Sequence, residues 1–402
     1  MGKKTKKNKI KKTKKTKNKT IKHRNLVIPS STPVEILKIS NQIARKLPNN
    51  TPHHPFNLFK RKNFNSYSPT INRELVTLKS IERSELSDCN IKKAYKLKEP
   101  LKINVPDGLY DSKCLNYDNT KAKQFLLNNL SANKHVDPTK IIPPIQSQSN
   151  CWFNSMFTTF FVSDKGRKFF HFLRQLMIEG KQQNGTKIPR KIRNAFALLN
   201  FGIDACLTGN KFAYELDTNS VIKQLYLAIP ETYKETNPYI VDVDDAGNPL
   251  LYYLSIINYL HNNSLVLLFI RGANNYWKNN VDQAMKKTNH IPHIIVLEVY
   301  DNDAKEFNNK PTTFTVNEAK YQIDSTVVRD VSKQHFCSTI TCEGEEMGYD
   351  GMSFHRIEPL EWKNKLNTDF NWKFEGTNDY DGTPLVWNYT KSYQLLLYYR
   401  IQ

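Results

Sequence analysis

The sequence predicts an α+β fold in which one helix packs against an antiparallel sheet. Two observations carry this. Helical patterns dominate from about residue 140 to 263, whereas strand patterns dominate from 293 to 402, so helices come first and strands afterwards. Near the start of the helical part the polar tract Gln-Ser-Gln-Ser-Asn, residues 146–150, gives way abruptly to the aromatic run "CWFNSMFTTFF" at 151–161. That boundary is where a central helix should begin.

The chain has 402 residues and a net charge of +21, unevenly spread. Residues 1–24 carry 13 Lys or Arg and no acid, leaving +8 for the rest. Residues 1–30 are therefore read as a disordered polybasic tail, since the block repels itself and has almost nothing to bury. It can solvate, serve as a nuclear address, or make a non-specific nucleic-acid contact through residues 1–24. Without interleaved aromatics, base stacking is not indicated. Residues 31–139 form an N-terminal extension of unassigned fold. Within it, 33–47 has helical spacing through Ile36, Leu37, Ile43 and Leu47, and 51–70 reads as loop. A folded domain is expected over 140–402.

In that domain, Phe153, Met156, Phe157, Phe160 and Phe161 share one helical face. A second helix carries Phe169, Phe170, Leu173, Leu176 and Met177, and two more are expected at 190–202 and from near Pro249. Strands are expected at 293–301, 321–330, 334–343 and 393–402, where β-branched and aromatic residues concentrate.

The six cysteines are scattered, no C-x-x-C pair exists, and no secretory h-region or membrane-length apolar run is present. These features predict a reduced intracellular protein, in cytoplasm or nucleus, with no membrane, metal or cofactor. Lys6 stands where a myristoylation signal needs Ser or Thr. The abundance of Lys, Asn and Ile points to an AT-rich source such as a large DNA virus, which adds the virion as a location.

Two readings of Cys151 compete: a small core thiol among aromatics, or a nucleophile at a helix start. A free thiol ionises near pH 8.5, whereas histidine-paired catalytic thiols ionise near about 4, a difference of some 6 kcal/mol. A helix N-terminus and an imidazolium, itself oriented by a carboxylate or amide, supply that stabilisation. Among ten histidines, His335 opens a strand that follows another strand across a short link, so it can face a helix packed on the sheet. Asp350 lies one strand further on, after a Gly-containing turn. By contrast His23, His53, His54 and His135 fall in tail or loop. His171 reads as surface, His261 as a helix end, His290 and His293 as flanking a proline, and His355 as solvent-facing.

The order of these features resembles the ubiquitin-specific protease family of papain-like deubiquitinating enzymes. "NCWFNSMF" resembles its cysteine box, and "YQIDSTVVRDVSKQHFCSTI" its histidine box. "NHIPHIIVLEVYDND" resembles the strand before that box, "GYDG" the turn with the third catalytic residue, and "YQLLLYYR" the terminal strand. "VDVDDAGNPLLYYLSIINYL" resembles the Asp-Ala helix without its Gln and Glu.

The resemblance implies a papain-like fold, with an N-terminal helical lobe whose nucleophile helix packs on a C-terminal antiparallel sheet. It implies a thiol isopeptidase acting on ubiquitin or a ubiquitin-like modifier, with Cys151 as nucleophile, His335 as base and Asp350 orienting the ring. Gln146, five residues before the cysteine, takes the oxyanion role, with Gln148 as local competitor. Gln334 and Phe336 replace the family's Gly and Tyr beside the histidine, Gln146 replaces its Asn, and the zinc fingers are absent. Trp362, Trp372 and Trp387 read as packing residues, one of which could line the groove. The rival readings are a catalytically silent papain-like scaffold and a basic nucleic-acid-binding structural protein.

Overall fold

The computed structural model describes residues 89–107, 111–132 and 135–402. The polybasic segment, the helix expected at 33–47 and the loop expected at 51–70 lie outside the described residues. The chain is an α+β fold of mixed helices and a largely antiparallel sheet. Its helices are α1 (Ile91–Tyr95), α2 (Thr120–Ala132), α3 (Cys151–Phe161), α4 (Asp164–Phe169), α5 (His171–Glu179) and α6 (Arg190–Thr208). They continue with α7 (Thr218–Ala228), α8 (Glu231–Thr236), α9 (Pro249–Tyr259), α10 (Trp277–Thr288) and α11 (Asp301–Ala304).

A hairpin of β1 (Lys102–Pro106) and β2 (Ser112–Asn116) precedes the main sheet. The main sheet comprises β3 (Leu267–Ile270), β4 (Ile294–Val299), β5 (Thr313–Val316), β6 (Ala319–Arg329), β7 (Phe336–Cys342), β8 (Glu345–Tyr349), β9 (Ile357–Pro359) and β10 (Gln394–Arg400). Its order is β3-β4-β10-β6-β7-β8-β9, with β5 paired to β6. Every pairing is antiparallel except β3 with β4.

Both faces of this sheet are covered, which explains why β4 and β10 read as unbroken apolar runs. Successive side chains point to opposite faces. Ile294, Val296, Leu395, Leu397 and Tyr399 enter the core beneath the helices. Ile295, Leu297, Val299, Leu396 and Tyr398 enter a second core with Trp277, Val281 and Met285 of α10. The first core also takes in Ile91, Ile103, Phe125 and Leu130, so the hairpin, α1 and α2 pack into the same interior as the later helices.

Helix α3 is the centre of that interior. Ten of its eleven residues are buried, Asn154, Ser155, Thr158 and Thr159 among them, and Cys151 alone is half-exposed. It lies on β6 and β7 on one side and on α9 on the other. The next helix expected from the sequence is two, α4 and α5, broken at Phe170; the apolar stripe continues across the break because Phe169, Phe170 and Leu173 all stay buried. At α9, Pro249 occupies the first turn and the Asn248 side chain accepts from the Leu251 N–H at 2.9 Å, a local N-cap.

Helix α4 anchors the far end of β7. Asp164 accepts from the backbone N–H groups of Glu343 (2.7 Å) and Gly344 (3.1 Å), while Arg167 donates to both Asp164 and Glu343. Glu343 and Gly344 form the two-residue turn joining β7 to β8, both with positive φ.

One expectation needs correction. The scattered cysteines predict a wholly reduced chain, but Cys89 and Cys114 form a disulfide, their Cα atoms 5.9 Å apart. The β1–β2 hairpin carries Cys114 beside the segment leading into α1, where the Cys89 N–H donates to Lys102 O at 3.1 Å. Cys151, Cys206, Cys337 and Cys342 are free. Among the described residues, no helix is long and apolar enough to cross a membrane.

Candidate active site

Cys151 is the first residue of α3, where backbone N–H groups have no partner within the helix and the helix dipole is positive. Its neighbours are wedged in place by size. Trp152 meets Tyr252 at 4.9 Å between ring centroids, and Phe153 stacks on Tyr253 at 5.1 Å.

His335 reaches the sulfur from the β6–β7 connection. Burial disfavours its charged form and is the largest single influence. The charge and hydrogen bond of Asp350, with a hydrogen bond to the Cys151 side chain and its charge, outweigh that and raise the imidazole to about 10. Nε2 lies 2.6 Å from Asp350 Oδ1, leaving Nδ1 for the sulfur. The backbone of His335 is locked by Asp330, a buried carboxylate. Asp330 Oδ1 accepts from the N–H of Gln334 (2.7 Å) and of His335 (2.6 Å), and Oδ2 accepts from the Ser332 N–H (2.7 Å). Trp387 stands edge-on to the imidazole, 5.9 Å between centroids.

Asp350 follows directly on β8 and is fully buried. Besides His335 it accepts from the Met352 N–H at 3.1 Å and, on its other oxygen, from the Thr377 hydroxyl. The loop carrying Gln146 is stitched to the same corner. The Gln146 N–H donates to Gly351 O at 2.9 Å, Tyr349 Oη donates to Pro144 O at 2.7 Å, and Arg356 donates to Pro143 O at 3.1 Å. Gly351 allows the approach, because a Cβ there would lie 3.0 Å from the Gln146 nitrogen.

Gln146 is half-buried, with Oε1 enclosed and lacking a hydrogen-bond partner. Gln148 is exposed, and its Oε1 accepts from Asn219 Nδ2 at 3.4 Å. The structure thus sets His335 between the Cys151 side chain and Asp350, with the Gln146 loop beside them. Among the described residues it leaves the other histidines outside: His293, just before β4, is buried, and His355 is exposed near Glu375. Trp362 and Trp387 are fully buried and Trp372 nearly so, as packing residues are.

Three supports were missed from sequence. Asp330 had a readable signal, since "DVS" before the strand is an Asp turn pattern. Thr377 and Thr218, which approaches α3 from α7, had none, because each arrives from an element distant in sequence.

No family model matches the chain, and no curated protein matches it. Among solved structures it is distantly similar to a chain of the SAGA Ubp8/Sgf11/Sus1/Sgf73 DUB module bound to ubiquitin aldehyde. That likeness has 9% identity and a TM-score of 0.40 and covers 66% of this chain and 70% of that one. A similar distance separates it from an essential yeast splicing factor, at 9% identity and TM-score 0.36, with 77% and 87% covered. Likenesses this remote assign no activity.

Proposed function

We propose that this protein is a thiol-dependent isopeptidase that removes ubiquitin or a ubiquitin-like modifier. The carrying observation is the chain from the Cys151 sulfur through the His335 ring to Asp350. A helix N-terminus and an imidazolium both stabilise negative charge on sulfur, and here they converge on the half-exposed residue of an otherwise buried helix.

In this reading Cys151 attacks the isopeptide carbonyl. The oxyanion is held by the Cys151 N–H and the Gln146 carboxamide, each such donor contributing about 3 kcal/mol at the transition state. His335 hands its proton to the departing lysine amine, leaving a thioester on Cys151. It then takes a proton from the water that hydrolyses the thioester. Asp350 keeps the ring oriented and the imidazolium stabilised. The choice of modifier rests on the order of the cysteine, histidine and terminal-strand motifs.

The test is labelling of the purified protein by ubiquitin and ubiquitin-like probes bearing a C-terminal electrophile. One probe should attach to Cys151, and Cys151→Ala should abolish the adduct while leaving the circular dichroism spectrum unchanged. Labelling that persists at another cysteine would overturn the assignment, and no labelling by any modifier would remove the substrate class.

A further inference from the structure

The start of α7 grips both flanks of Cys151. Thr218 is fully buried, and its hydroxyl makes two bonds at once. It accepts from Asn150 Nδ2 at 2.9 Å and donates to Asn154 Oδ1 at 2.7 Å. Asn154 Nδ2 continues the chain to Ile145 O at 3.3 Å, and the Asn154 N–H closes the first helical turn on Asn150 O at 3.0 Å. The next residue, Asn219, donates to the Ser147 hydroxyl at 2.7 Å. Donors and acceptors thus run in one direction, from Asn150 through Thr218 and Asn154 to the carbonyl preceding Gln146.

We infer that Thr218 is a positioning residue for Cys151, acting through Asn150 and Asn154; this rests on the reading of Cys151 as a nucleophile. The residue just before Cys151 lacks the usual local restraint. Asn150 precedes the helix without a side-chain bond to its first-turn N–H groups, and its Oδ1 is buried without a partner. Its side chain is turned across to α7 instead. One hydroxyl therefore fixes the turn that sets the sulfur and, through Ile145, the loop that sets the Gln146 amide. A hydroxyl is required because the position must accept and donate together; valine has the same shape and does neither.

The test uses the full chain carrying Thr218→Val or Thr218→Ser. Two quantities are measured on each: the rate of Cys151 alkylation by iodoacetamide at neutral pH, located by mass mapping, and kcat and KM on a fluorogenic ubiquitin substrate. Thr218→Val should lose about ten- to a hundredfold in kcat, the scale of an ångström-level misplacement, with KM little changed and alkylation slowed. Thr218→Ser should restore both. A folded Thr218→Val with wild-type alkylation and kcat overturns the inference, as does a serine variant no better than valine. If valine does not fold, Thr218→Ala is read the same way. Failure of both to fold makes Thr218 a stability residue only and also sinks the inference. Alkylation needs no protein substrate, so the underlying reading is judged separately: it falls if His335→Ala alkylates at Cys151 as fast as wild type.

Discussion

At the scale of single residues, the site is an arrangement in which a carboxylate overrides burial. His335 is almost wholly enclosed, and enclosure alone would strip its proton; Asp350 reverses this and holds the ring at about 10. The native state therefore keeps a proton that the unfolded chain, at the ordinary 6.5, has already released. The contribution to stability is fully present below pH 6.5 and is lost as pH rises through about 10. Asp350→Asn removes the charge and keeps the shape, so the His335 titration should move down by roughly one to three units. NMR of the imidazole measures it directly, and an unmoved titration would show that Asp350 does not set the ring's charge. That Cys151, His335 and Asp350 could meet was readable because each stands at a local landmark: a helix start, the residue before one strand and the residue after the next. Thr377, which holds the other oxygen of Asp350, follows a separate loop and leaves no local trace.

At the scale of elements, legibility followed periodicity and burial. Strands β4 and β10 announced themselves because both of their faces are covered, and α3 because aromatic residues begin abruptly at Cys151. The break between α4 and α5 was invisible, since a buried stripe continues through Phe170. Strands β8 and β9 are short and carry Gly348 and Pro359, so neither presents an alternating pattern. The parallel pairing of β3 with β4 depends on the crossover helix α10, whose apolar residues Trp277, Val281, Ala284 and Met285 stand at helical spacing, a signal left unread among its polar residues. Because α3 is enclosed on all sides, its packing governs the site as well as the fold. Phe157 is fully buried and meets Phe161 edge-on at 5.5 Å. Phe157→Ala should cost about 3–5 kcal/mol in urea unfolding. A loss near zero would mean that the helix is held by its polar bonds, such as the Ser155 hydroxyl to Phe336 O at 3.1 Å, and not by its core.

At the scale of the whole molecule, the second core contains a cation that opposes folding at neutral pH. Lys310 is buried, and its Nζ donates to Leu366 O at 3.1 Å and Tyr389 O at 2.8 Å, with the Phe307 ring 5.7 Å away. Two carbonyl dipoles do not replace the lost hydration of a full charge, so burial lowers the amine from 10.5 to about 7. Between those values the unfolded chain binds a proton that the native state has shed. Stability therefore rises with pH across the window from this residue, by up to about 1.4 kcal/mol per unit. His335 acts with the opposite sign between 6.5 and about 10, so the wild-type curve alone mixes the two. Subtracting the curve of Lys310→Met isolates the lysine, since His335 is common to both proteins. The difference, wild type minus variant, should climb from pH 7 to pH 10 in urea titrations, whatever the methionine costs through the two stranded carbonyls. A flat difference would mean that the amine stays charged in the fold, which would require water to reach Nζ between the segments bearing Leu366 and Tyr389.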